Sequence, residues 1–151
     1  MSRGDRGRQL DTVAMLARTD EERIARELQT RQAARRRDDQ QLEQLKAFQS
    51  EYEQRLQQMA AAGMPARQLA DFRHFLANLN CAVENQSVSV AASTEAAQSK
   101  HSEWLDKAAR RAGLDDFLLR YRARERREAE RVDEKRVHDE HSARGGPLPE
   151  D

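Results

Sequence analysis

Between Arg8 and Arg144 the chain meets one strong helix break, Gly63-Met64-Pro65, and a polypeptide with so little punctuation can form little besides long helices. Gly63 is suited to the left-handed cap that ends one helix and Pro65 to the first turn of the next, so the tripeptide reads as a hairpin tip. Gly113 has no second breaker beside it and marks a soft point rather than an end.

On either side of that break, seam positions recur with the helical period. Upstream, steps of four and three run through Ile24, Leu28, Arg31, Arg35, Asp38, Leu42, Leu45, Gln49, Tyr52, Leu56 and Met59. Downstream, the same steps run through Leu69, Phe72, Leu76, Leu79, Val83, Gln86, Val90, Ser93, Ala97, Lys100 and Trp104. Both are heptad seams diluted by polar residues. A short tip forces the helices antiparallel, and pairing Met59 with Leu69 sets Leu45 against Val83 and Ile24 against Trp104. Arg31 to Asp38 then fall opposite Val90 to Ala97, which predicts a loosened middle where small and polar residues give up contacts.

The expected fold is therefore all-α, a long two-helix antiparallel coiled-coil hairpin forming a single domain over residues 1–144. Its helices are expected over about 10–62 and about 66–142, with a tip at 63–66 and a disordered tail at 145–151. Thr19 to Glu22 offers an alternative capping-box start for the first helix. At about 1.5 Å per residue, the second helix outruns the first by about 20 residues, an overhang that invites a partner.

With 37% hydrophobic and 36% charged residues, the composition suits exposed helices better than a round core. Lys plus Arg number 27 and Asp plus Glu 27, and the absence of net charge and of groove-reading or stacking motifs argues against nucleic acid as a partner. Residues 1–37 carry 10 basic and 6 acidic groups, whereas residues 38–106 carry 5 and 10, so one end of the hairpin is mildly basic. Cys81 has no second cysteine to pair with, which fits a reducing compartment. No apolar run follows Met1 to Arg8 or approaches bilayer length, so a cytoplasmic protein without direct membrane insertion is expected.

Two stretches flank the tip: Gln41-Leu42-Glu43-Gln44-Leu45-Lys46-Ala47-Phe48-Gln49-Ser50-Glu51-Tyr52 and Phe75-Leu76-Ala77-Asn78-Leu79-Asn80-Cys81-Ala82-Val83-Glu84-Asn85-Gln86. With Trp104 and the segment Asp133 to Glu140, their order and spacing resemble the FliJ family of flagellar export proteins over roughly residues 10–144. The resemblance implies the non-catalytic stalk of the flagellar type III protein export apparatus, cytoplasmic and peripheral to the inner membrane, serving flagellum biogenesis, motility and chemotaxis. The partners it implies are a hexameric export ATPase whose pore receives the hairpin, the cytoplasmic domain of the export gate membrane protein, and export chaperones. A generic coiled-coil adaptor, its register fixed by Arg31, Arg35 and Asp38, and an injectisome-type stalk are the alternatives.

Within the stretches, Gln41, Leu45, Phe48 and Tyr52 are spaced four, three and four, as are Phe75, Leu79, Ala82 and Gln86. Each set is a stripe turned slightly off its seam, with Phe48 and Phe75 outside it. They either widen the core near the tip or anchor a partner, and the resemblance makes this the export-gate-binding face. Arg18, Arg23, Arg26 and Arg31 are either a solvated face or, following the resemblance, contacts to an acidic ATPase pore, with Phe117 and Tyr121 nearby on the second helix. Phe117, Leu118 and Tyr121 are expected to cover Leu10, Val13 and Ala14. His138, Asp139, Glu140 and His141 lack the order of a His-Glu-x-x-His zinc site. With no phosphate loop and no acid-plus-nucleophile constellation near His74 or His101, no metal, cofactor or catalysis is expected.

Overall fold

The computed structural model describes residues 2–145, which form two helices in contact, α1 over Arg3–Ala62 and α2 over Ala66–Arg144. The architecture is all-α, with no strand among the described residues. The chain reverses at Gly63, whose φ of +89° is the only positive value among the described residues. Its N–H donates to the Ala60 carbonyl at 3.4 Å. Pro65 stands just before α2 rather than in its first turn, and its carbonyl accepts the Leu69 N–H at 3.0 Å. A Cβ at Gly63 would meet nothing within 4 Å, so the penalty of Gly63→Ala is purely conformational. We expect it to destabilise the hairpin by about 1 kcal/mol, read as a lower urea midpoint with unchanged slope.

α1 begins earlier than either expected start. The Thr19 hydroxyl donates back to the Met15 carbonyl at 3.0 Å, as a residue inside a helix does, and caps nothing. Gly4 and Gly7 cost about 1 kcal/mol each against alanine, yet α1 runs through both, and exposed ion pairs, Arg3–Glu128 at 2.8 Å and Arg122–Asp11, join this stretch to α2. The tail beyond Gly145, expected to be disordered, lies outside the described residues.

The chain divides into two compact units, each built from a stretch of both helices. In the unit Glu22–Asp106 the predicted seam is the core. Ile24 is 0% exposed, and Leu28, Leu42 and Ala97 are buried. Leu45, Gln49, Tyr52 and Leu56 of α1 and Leu69, Phe72, Leu76, Leu79 and Val83 of α2 are half-buried. Register follows the expected pairing: Tyr52 meets Phe75 and Glu27 meets Lys100, both within one residue of the alignment set by Met59 and Leu69.

The middle of this seam is bonded rather than loosened. Arg31 and Arg35 turn out to solvent, while Ala33 and Ala34 are half-buried. Asp38 accepts the Ser93 hydroxyl at its carboxylate and the Gln86 side-chain amide at its carbonyl, the latter at 2.9 Å. Gln49 donates to Asn80 at 2.6 Å. No buried side-chain polar atom lacks a partner among the described residues, so the polar positions replace apolar packing with directional contacts.

In the unit Met1–Glu21 with Lys107–Asp151 the seam is thinner. Ala14 is buried, and Leu10, Ala17, Ala108, Leu114, Leu118 and Tyr121 are half-buried. Ion pairs flank it, among them Lys107–Asp20 at 2.7 Å and Arg111–Glu21 at 2.6 Å. Leu118 and Tyr121 turn inward as expected, but Phe117 is 49% exposed. From 126 to 144 every residue of α2 is exposed.

Candidate partner-binding surfaces

The two stripes beside the tip separate by burial. Leu45, Tyr52, Leu79, Ala82 and Gln86 lie half-buried in the seam, whereas Gln41 is exposed and Phe48 and Phe75 are 52% and 47% exposed. The Tyr52 ring is tilted against those of Phe72 and Phe75, with centroids 5.8 and 4.9 Å away. The Arg55 guanidinium lies 5.6 Å from the centroid of the same ring. Phe48 is one helical turn before Tyr52 and so shares its face. The rings in contact are Tyr52, Phe72 and Phe75, with Phe48 exposed one turn away on the same helix as Tyr52 and Leu45 and Leu79 half-buried in the seam. Gln86 is different, because its amide is already spent on the Asp38 carbonyl and holds the seam.

The six residues of the second set divide between the units. Arg18, Phe117 and Tyr121 belong to one, where Arg18 reaches Asp115 at 3.4 Å. Burial pushes the Tyr121 hydroxyl up from its ordinary pKa, and its hydrogen bond with Glu125 adds to the shift. Arg23, Arg26 and Arg31 belong to the other. There Arg23 reaches Glu27 at 3.1 Å, and Arg26 and Arg31 are exposed.

A family model described as Flagellar FliJ protein matches residues 6–146, nearly the whole chain. The chain belongs to the FliJ family. No curated protein and no solved structure matches it. Membership gives it a role in flagellar protein export, within an apparatus in which the FliJ family is a non-catalytic component. No helix among the described residues is long and apolar enough to cross a membrane.

In this FliJ-family chain the aromatic surface extends farther toward the tip than the spacing indicated. Tyr52 and Phe75 continue into a groove lined by Met59, Met64, Gln68, Asp71 and Phe72. Met59, placed in the seam by its heptad position, is 42% exposed there. Met64 falls between the helices and so in no heptad count. The signal available was a large apolar residue in a turn otherwise built for solvent. Methionine's flexible thioether suits such a surface to partners of varied shape.

The FliJ hairpin also carries a titrating cross-link. Lys100 bonds Glu27 and Glu103, both at 2.9 Å. Its hydrogen bond holds the Glu27 carboxyl below the usual range against a smaller opposing effect of burial. The bonds to Glu27 and then Glu103 raise the Lys100 ammonium. Stability from Glu27 is present above its unfolded pKa and is lost as pH falls through its depressed folded value. Stability from Lys100 is present below its unfolded pKa and is lost as pH rises through its elevated one. Thermal melts should therefore show a shallow plateau between acidic and strongly alkaline pH, and Lys100→Met should flatten both edges. The effect is small because both groups remain in contact with solvent.

Proposed function

We propose that this chain is a non-catalytic stalk of the flagellar export apparatus that couples the hexameric export ATPase to the cytoplasmic domain of the export gate. The observation that carries this reading is the aromatic surface beside the tip. Phe48 and Phe75 stay about half exposed near a seam bonded at Gln49 and Asn80, and exposed aromatic side chains are typical anchors for a partner. Family membership supplies the setting. In this reading Gln41, Leu45, Phe48, Tyr52, Phe75, Leu79, Ala82 and Gln86 form or support the gate face. Arg18, Arg23, Arg26, Arg31, Phe117 and Tyr121 serve the ATPase, and export chaperones dock transiently. The chain works in the cytoplasm at the inner-membrane apparatus and turns over no substrate itself.

The test is to titrate the purified chain into its export ATPase and follow phosphate release. Faster hydrolysis supports the coupling reading. Unchanged hydrolysis, together with a stable homodimer in solution, favours a coiled-coil adaptor instead.

A further inference from the structure

Lys100 bonds both Glu27 of α1 and Glu103 of α2 at 2.9 Å, which sets those two carboxylates on one flank of the hairpin. Within the unit Glu22–Asp106 that flank can be followed toward the tip in steps of seven residues, one heptad each. From Glu27 the steps reach Ala34, Gln41 and Phe48, and from Glu103 they reach Ala96, Ser89, Ala82 and Phe75. Register holds over this distance, because Glu27 with Lys100 and Tyr52 with Phe75 keep the same offset. Phe48 and Phe75 therefore stand on one side of the hairpin, at the end of a strip that begins at the Lys100 cross-link.

That strip is nearly without charge. Residues three further along each helix share its side: Thr30, Arg37 and Gln44 on α1 and Asn78, Asn85, Ala92 and Ser99 on α2, all exposed. Arg37 is the one charged residue on the strip between the cross-link and the two phenylalanines. The opposite flank, over the same levels, carries Arg36, Asp39, Glu43, Lys46 and Glu84, as a solvated surface does in a chain with 36% charged residues. The core of a protein interface is depleted of charge, because a charge buried without a partner costs far more than an amide or a methyl group. Ser89 brings no unmet hydrogen bond to such a contact, since its hydroxyl donates to the Asn85 carbonyl at 3.3 Å. Arg37 makes no ion pair among the described residues, so its charge is left for whatever covers the strip.

We propose that the gate contact runs beyond the aromatic side chains along this strip. A helix of the gate's cytoplasmic domain lays uncharged side chains over Ser89 and Ala92 and sets a carboxylate against Arg37. The assignment rests on the reading that Phe48 and Phe75 face the gate, and continuity with that face selects the occupant. Phe75 to Ser99 spans about 36 Å at about 1.5 Å per residue, the length of a helix of about seven turns. Alanine and serine along it allow helix axes to approach closely. Arg37 is then the specificity-determining residue of the strip, because it disfavours any partner that brings no acid to it.

The experiment measures binding of the full-length chain to the soluble gate domain by calorimetry at several salt concentrations. Ala91 and Ala92 are both exposed, and Ala91 lies one heptad from Glu84 on the opposite flank. Ala92→Glu and Ala91→Glu thus make the same substitution on and off the strip. Their thermal midpoints should agree, while Ala92→Glu weakens binding by about tenfold and Ala91→Glu by less than about twofold. Arg37→Gln should weaken binding with a shallower salt dependence, and Arg36→Gln should change neither. Equal affinity in the two alanine variants, with a parental salt slope in Arg37→Gln, overturns the strip assignment and leaves the contact at Phe48 and Phe75 standing. A parent chain that does not bind the gate domain removes the reading on which the assignment rests. If Ala92→Glu loses helix content, the comparison of Arg37→Gln with Arg36→Gln decides. Self-association of the parent that Ala92→Glu abolishes would make a second copy the occupant and overturn the gate assignment.

Discussion

Ile24→Ala is expected to lower the unfolding free energy of the hairpin by about 3 kcal/mol. Ile24 is the only large side chain with no exposure at all among the described residues, so truncation removes buried methyl groups and leaves space between two helices that cannot close without bending. The core around it is small, being limited to Leu28, Leu42, Ala97 and half-buried neighbours. Few other contacts can absorb the loss, and domains of this size have little stability to spare. Urea unfolding followed by circular dichroism measures the change, and the fluorescence of the lone tryptophan, Trp104, half-buried in the same unit, gives a local readout. Leu119→Ala is the control, because its side chain is 70% exposed and should change stability by less than about 0.5 kcal/mol. A midpoint for Ile24→Ala equal to that control would mean the seam does not hold the helices together.

Phe48→Ala combined with Phe75→Ala should weaken binding to the gate's cytoplasmic domain by about thirtyfold, or about 2 kcal/mol, while leaving helix content within error. Both rings are about half exposed, and neither occupies a heptad seam position. Truncating Phe75 forfeits its contact with Tyr52, but the Tyr52 ring keeps its contact with Phe72. Leu45→Asp or Leu79→Asp should behave differently, since each is half-buried in the seam. These substitutions should lower binding and thermal midpoint together. Calorimetry with the soluble gate domain, paired with melts of every variant, separates the two patterns. Equal losses of helix content in the phenylalanine variants would assign both rings to the core.

The hairpin was legible because its two determinants are local. Gly63 supplies the one backbone conformation that other residues avoid, and the three-four spacing from Ile24 to Leu56 and from Leu69 to Trp104 needs no knowledge of the fold to be seen. Other features depend on context. The start of α1 was obscured because Gly4, Gly7 and Thr19 all carry local signals for a helix end, whereas the contacts that α2 makes with Arg3 and Asp11 depend on the fold. Asp38 looked like a weakness in the seam, since its value depends on Ser93 and Gln86, which lie on the other helix. Phe117 and Tyr121 looked equivalent by composition, and only the rotation of α2 separates the exposed ring from the half-buried one. At the candidate site, the spacing found the aromatic stripes but missed Met64 and Asp71, because periodicity carries no information about residues in and beside a turn.

Coupling requires that one chain hold both partners at once. The decisive measurement is sedimentation of the intact chain with the ATPase hexamer and the soluble gate domain together, each also run in pairs. The coupling account predicts a single species containing all three, from which Phe48→Ala with Phe75→Ala removes only the gate domain. Mutually exclusive binding, with the gate domain displacing the ATPase from the chain, would contradict it.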